Sequence, residues 1–161
     1  MDEVTLALNV AAEPDPQRSC GSCTACCAVL AVVELRKPMR CACPHQTHGG
    51  CRIYADRPAS CRQFNCVWLR GGLPADEAWR PDRLGVIFDG FTRATDGQPQ
   101  LTALEVFPGV FTSDTGATLL RRIVDDSRQE LTLSYRDGRI ARLMPDAEAV
   151  NCAETTSREI R

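Results

Sequence analysis

The chain is poor in several features that would have pointed to a function directly. It has one lysine, Lys37, and two histidines, His45 and His48. Its formal net charge of −2 gives no overall reason to expect nucleic acid or an acidic membrane surface. No stretch approaches the roughly 20 apolar residues of a membrane-spanning helix. The opening segment "MDEVTLALNVAAEPDPQR" begins with two acids and lacks the basic start and longer apolar core of a signal peptide. There is no phosphate loop, nucleophile elbow or paired-carboxylate motif, which lowers the expectation of a conventional enzyme. No internal repeat or low-complexity segment is visible. These absences make a cytoplasmic protein, without membrane attachment, the expectation.

What the chain does have is cysteine, ten in 161 residues, nine of them between Cys20 and Cys66. A chain of this size can bury a core and needs no cross-links merely to fold. In a reducing compartment such thiols stay free unless a metal holds them. Cysteine is about 6% of the chain, below the roughly 8–10% typical of secreted disulfide scaffolds.

The cysteines divide the sequence. Residues 1–16 carry four acids and no base and are expected to be a flexible lead-in. Residues 17–70 are expected to form a Cys-rich module, read below as metal-binding; residues 71–150 read as a small α+β unit; residues 151–161 are expected to be a flexible tail. In that unit "RLGVIFDGF" and "LTALEVFPG" predict strands joined through a turn at Asp96-Gly97. The stretch "SDTGATLLRRIVDDSRQ" predicts a helix capped by Ser113 or Asp114, with Leu119, Leu120, Ile123 and Val124 on one face. "ELTLSYRDGRIARLM" predicts a hairpin turning at Asp137-Gly138. The expected fold is therefore α+β: an irregular Cys-rich half packed against a β-β-α-β-β unit.

Within the module, "CGSCTACC" places Cys20, Cys23, Cys26 and Cys27 at offsets of three, six and seven. On a helix or tight loop Cys23 would face Cys26 and Cys27, with Cys20 and Cys27 on the same face. Adjacent helical residues point about 100° apart, so Cys26 and Cys27 are expected to serve different partners, two metals or one metal and the core. A second group, "CACPHQTHGGCRIYADRPASCRQFNC", adds Cys41, Cys43, His45, His48, Cys51, Cys61 and Cys66. Gly49-Gly50 permits a tight turn before Cys51, and Pro58 suits the first position of a short helix carrying Cys61. Thiolate and imidazole donors in this arrangement suit zinc or an iron–sulfur cluster. They exceed one tetrahedral site, so one or two centres are compatible with the count. Residues 17–70 hold eight Lys or Arg against two acids, a formal +6 that would lower thiol pKa values and balance anionic thiolates, unless it reflects only a general preference for Arg.

"CGSCTACC", "CPH" and "GCRIYADRPASCRQFNCVWL" together resemble the CxxCxxCC family of zinc- or iron-chelating proteins, the YkgJ-like group. The resemblance covers roughly residues 20–70 and adds little to residues 71–161. It implies a small metal-chelating protein in which Cys20, Cys23, Cys26, Cys27, Cys43, Cys51, Cys61 and Cys66 are ligands, with His45 in a shared C-x-H. The implied cofactor is zinc or an iron–sulfur cluster, of which a 4Fe-4S cluster is one form. Cys41, Cys152 and His48 fall outside the pattern. Tyr54 and Arg57 match its Y-x-x-R-P; Tyr54 is expected to pack against the block and Arg57 to donate to a thiolate or a carbonyl. Phe64 and Trp68 are expected in the core. The function expected is metal binding in a structural, redox or metal-handling role, with the metal ion as partner and room for a protein partner. Similar Cys blocks occur in longer flagellin lysine methylases, so an enzyme component is the alternative, ranked lower because the chain is short for a methyl-donor domain. A zinc-ribbon-like interaction module is another; nucleic acid is not expected, because bound thiolates would cancel much of the +6.

Overall fold

The computed structural model describes residues 13–92 and 95–145. The expected tail and Cys152 lie outside the described residues, as does most of the lead-in. Asp15 is tied to the body through a backbone hydrogen bond to Leu69 O, 2.9 Å, and an ion pair with Arg18, 3.3 Å.

The second half has the expected α+β layout. Strands β3 (Val86–Thr92) and β4 (Pro99–Glu105) form an antiparallel hairpin, helix α4 spans Asp114–Ser127, and β5 (Leu131–Ser134) pairs antiparallel with β6 (Ile140–Leu143). The earlier elements are α1 (Ala25–Val29), β1 (Gln46–Thr47), β2 (Gly50–Cys51), α2 (Ala59–Gln63) and α3 (Pro81–Leu84). The large sheet has the order β3-β4-β5-β6, with β4 and β5 parallel because α4 carries the chain back between them. Ser113 caps α4 by accepting from Gly116 N at 3.1 Å. Gly138 takes the positive φ that turns the last hairpin.

Alternation along the strands sends side chains to both faces of the sheet. Val86 and Phe88 of β3, Leu101 and Ala103 of β4, and Leu131 and Leu133 of β5 share one core with Leu120, Ile123 and Val124 of α4. Trp68 belongs to the same core, as expected. Ile87 and Leu104 point the other way, into a second core with Val106 and with Ala25 and Val29 of α1. One face of the sheet is thus covered by α4 and the other by the helix that carries Cys26 and Cys27.

The Cys-rich half is mostly loops, pinned to the sheet by arginines. Arg40 donates to Tyr135 O (2.8 Å) and Ser134 Oγ (2.9 Å), and Arg136 donates to Ala28 O (2.7 Å). Arg70 donates to Gly90 O at 2.8 Å, and Val67 N to Phe88 O at 2.8 Å, which covers part of the outer edge of β3.

Candidate metal centre

The two cysteine groups meet in one place. Cys20, Cys23, Cys26, Cys27, Cys43, Cys51, Cys61 and His45 all line a single cavity of about 280 Å³. Of the nine residues expected at the site, Cys66 alone does not line it; it sits beneath, packed against both cores. Leu30, Val32, Leu35, Ile53 and Phe64 give the cavity apolar walls, so Phe64 serves cavity and core together. Cys41 is exposed and lies off the cavity, and His48 lines a different, polar one.

Local structure explains this gathering. The Cys20–Cys23 segment is a turn, closed by Cys23 N donating to Cys20 O at 2.8 Å; the helix begins only at Ala25. Gly21 supplies the positive φ the turn requires. Cys43 N donates to Cys27 O at 3.0 Å, drawing the second cysteine group onto the first. The β1–β2 hairpin turns at His48-Gly49 and returns Cys51 beside Gln46. Gly50, at φ +126, lies so close to the first turn that an added Cβ would stand 3.3 Å from Gly21 O. Pro58 caps α2, one position before its expected place, and Cys61 follows in the helix.

The expectation that Cys26 and Cys27 diverge holds only in part. Cys26 packs on the second core, yet both residues line the same cavity. The mutual influence of these neighbouring thiols holds Cys27 below its ordinary range, with help from the Lys37 and Arg57 charges, and pushes Cys26 up. Burial raises Cys20, lifts Cys23 to about 12 and lifts Cys66 to about 11. Cys61 is raised by burial and by its neighbours Cys27 and Cys43. The backbone N–H groups of Leu69 and Trp68 partly offset the rise at Cys66, and those of Ala25 and Asp82 the rise at Cys23. Such N–H donors stabilise thiolate charge.

The positive charge of the module is divided among several tasks. Arg57 lines the cavity, stacks 3.7 Å over the Tyr54 ring and donates to Tyr54 O at 3.0 Å, so its partner is a carbonyl. Lys37 is buried, with its ammonium on Leu30 O and Pro38 O. Arg18, Arg40 and Arg70 serve as struts to carbonyls of the body.

Among the described residues, no three His, Cys, Asp or Glu side chains converge closely enough to coordinate a common ion. The chemistry of the donor set nevertheless fits a thiophilic group: seven sulfurs and one imidazole face one apolar-walled space, with cationic side chains beside Cys27. The sequence pattern gave no reason to include Asp82, whose charge helps raise the Cys23 thiol, or Asp89, which lines the cavity. Neither has a fixed spacing to the cysteines; each arrives through the sheet or the turn before it.

Fold and site together describe a small α+β protein with a thiol-lined cavity. Comparisons with protein-family models, with curated proteins and with solved structures return no match to this chain.

Proposed function

We propose that the chain is a metal-binding protein that holds zinc or an iron–sulfur cluster through its Cys-rich block, in a structural, redox or metal-handling role. The observation that carries this reading is the assembly of seven thiols and His45, from two segments of sequence at residues 20–27 and 43–61, around one cavity. Structural thiols scattered through a core would have no reason to share a space. Cys20, Cys23, Cys26, Cys27, Cys43, His45, Cys51 and Cys61 would hold the group, with Cys66 close beneath. Bound zinc would stabilise the loops and neutralise thiolates; a cluster would add one-electron chemistry. Since a tetrahedral centre takes four ligands, this donor count accommodates one or two centres.

Anaerobic purification followed by elemental analysis and visible absorption tests the reading. Zinc at one or two per chain, or iron with acid-labile sulfide and a visible chromophore, is expected. A colourless, metal-free protein that is folded and shows no uptake of zinc or reconstituted cluster would refute it.

A further inference from the structure

The thiol cavity adjoins a second, polar cavity of about 600 Å³, and Cys43 is the one residue common to the two linings. Backbone hydrogen bonds fix Cys43 at this junction. Its N–H donates to Cys27 O at 3.0 Å, and its carbonyl accepts from Gln46 N at 3.0 Å. Gln46 donates through Nε2 to Thr24 Oγ1 at 2.9 Å, which ties the wall of the polar cavity to the residue before α1.

The two cavities differ in what they offer a cation. The thiol cavity has apolar walls, and its exposed rim carries Met39 and Tyr54, 38% and 50% exposed, with the Arg57 guanidinium 3.7 Å over the Tyr54 ring. A hydrated dication gains nothing from apolar surface and is repelled by the guanidinium. The polar cavity instead offers the hydroxyls of Ser22, Thr24 and Thr47, the Asp82 carboxylate and the His48 imidazole. Arg80 shares the Asp82 oxygens, at 2.6 and 2.9 Å, and Arg83 also lines the wall, so the cavity is polar without being strongly anionic. Weak sites of this kind let an ion enter and also let it leave.

We propose that the polar cavity is the entrance by which a divalent cation reaches the thiol cavity, with His48 its outer donor and Cys43 the first sulfur it meets. The role deepens the metal-binding reading and rests on it. It gives His48, which falls outside the cysteine pattern, a task in the speed of loading rather than in the strength of binding.

Charges placed at the two openings test the route. Arg83 is exposed in the polar cavity, and Arg83→Glu changes its charge by two units; Met39→Lys and Met39→Glu span the same range at the rim of the thiol cavity. Zinc uptake by the metal-free protein is followed by stopped flow against a chromophoric chelator at about 0.1 M salt. Arg83→Glu should load about fivefold faster than wild type, the size expected for that change about 8 Å from a dication in water. Ala42→Lys, which adds a cation to the same cavity, should load about twofold slower. His48→Ala should also load more slowly, with an unchanged equilibrium affinity, and the two Met39 variants should match each other. A rate that follows the Met39 charge at least as strongly, or that ignores the Arg83 charge, would overturn the proposal. Without metal, alkylation of each cysteine by iodoacetate and by iodoacetamide is compared by mass spectrometry, the ratio of the two rates cancelling changes in thiol acidity. In Arg83→Glu that ratio should fall about twofold at Cys43 and stay constant at Cys61; a constant ratio at Cys43 would show that its sulfur is not reached from the polar cavity, and the route would fail. A wild-type chain that takes up neither zinc nor iron would overturn the metal-binding reading and this route with it, and the ratio at Cys43 would still show whether the two cavities connect.

Discussion

Gly50→Ala should damage this protein far more than Gly49→Ala, although the two glycines are neighbours in one hairpin. Gly50 sits at φ +126, a region that residues with a Cβ rarely enter, and its added Cβ would meet the Gly21 carbonyl at 3.3 Å. Holding a non-glycine residue there costs about 1–3 kcal/mol, and the tight contact must be relieved by moving one of two backbones. Gly49 has no such φ and nothing within 4 Å of its added Cβ, so alanine there should be neutral or slightly stabilising through a less flexible unfolded chain. Taking about 2 kcal/mol for Gly50→Ala, and about 2–4 °C per kcal/mol for a chain of this size, its thermal midpoint should fall about 4–8 °C. The displaced atoms belong to the turn between Cys20 and Cys23 and to the strand ending at Cys51, so the proposed metal uptake should weaken in parallel. Thermal unfolding of both variants by circular dichroism, alongside zinc titration, is the assay. Equal midpoints for the two variants would show that the hairpin does not press on the first cysteine turn, and the account of how the two cysteine groups are held together would fail.

Arg136→Ala removes the donor to Ala28 O at 2.7 Å and should cost about 1.5–3 kcal/mol in urea unfolding, as expected for a hydrogen bond from a charged group; an unchanged midpoint would deny it a role in docking α1 on the sheet. Asp89→Asn should stabilise the protein at pH 7. Burial raises the Asp89 carboxyl, Arg70 only partly opposing it, so the folded state binds that proton more tightly than the unfolded chain does. Its ionisation therefore erodes stability as pH rises through the folded pKa, and the gap between variant and wild type should close in acid near about pH 3; a gap that widens there would refute this. Stripping metal from the purified protein with a chelator should lower the thermal midpoint and raise the number of cysteines reactive to a disulfide reagent, with both restored by metal; a chelator-insensitive midpoint and thiol count would count against a bound metal.

The second half of the fold was legible because its signals are local. Apolar alternation marked β3 and β4, the 3.6-residue pattern and Ser113 marked α4, and Asp137-Gly138 marked the last turn. The parallel pairing of β4 with β5 follows from a crossover helix of fourteen residues, which a list of elements does not state but their order permits. In the first half, the spacing identified which cysteines belong together but not their geometry. Cys20 to Cys23 reads as well for helix as for turn, and the structure resolves it as a turn through Gly21. The 100° rule placed Cys26 and Cys27 apart, whereas a short helix at the rim of a cavity lets neighbours both reach it. Cys66 fits the pattern in sequence yet lies under the cavity, because the segment after α2 dives to meet β3 through Val67. The contact of Arg80 with Ser22 could not be read at all: it depends on a three-dimensional approach between the start of α3 and a turn some sixty residues earlier.

That approach bears on how the chain is divided. A boundary at residue 70 separates compositions, but the packing crosses it everywhere. Residues 67–73 contribute Val67, Trp68, Leu69 and Leu73 to the core under α4, while Ala25 and Val29 share the opposite core with Ile87 and Leu104. A loop-rich segment with few buried apolar side chains of its own, here Ala25, Val29 and Val32 within residues 20–66, cannot meet the entropy cost of ordering by itself. Here the outer face of the sheet supplies the apolar bed for α1, and Arg40, Arg136, Arg70 and Arg80 tie the loops at four points. The cysteines are therefore brought together by the body of the protein before any ligand contributes. A metal bound there would draw in sulfurs already facing one cavity, whereas in a free-standing cysteine module it would have to organise the chain from the start.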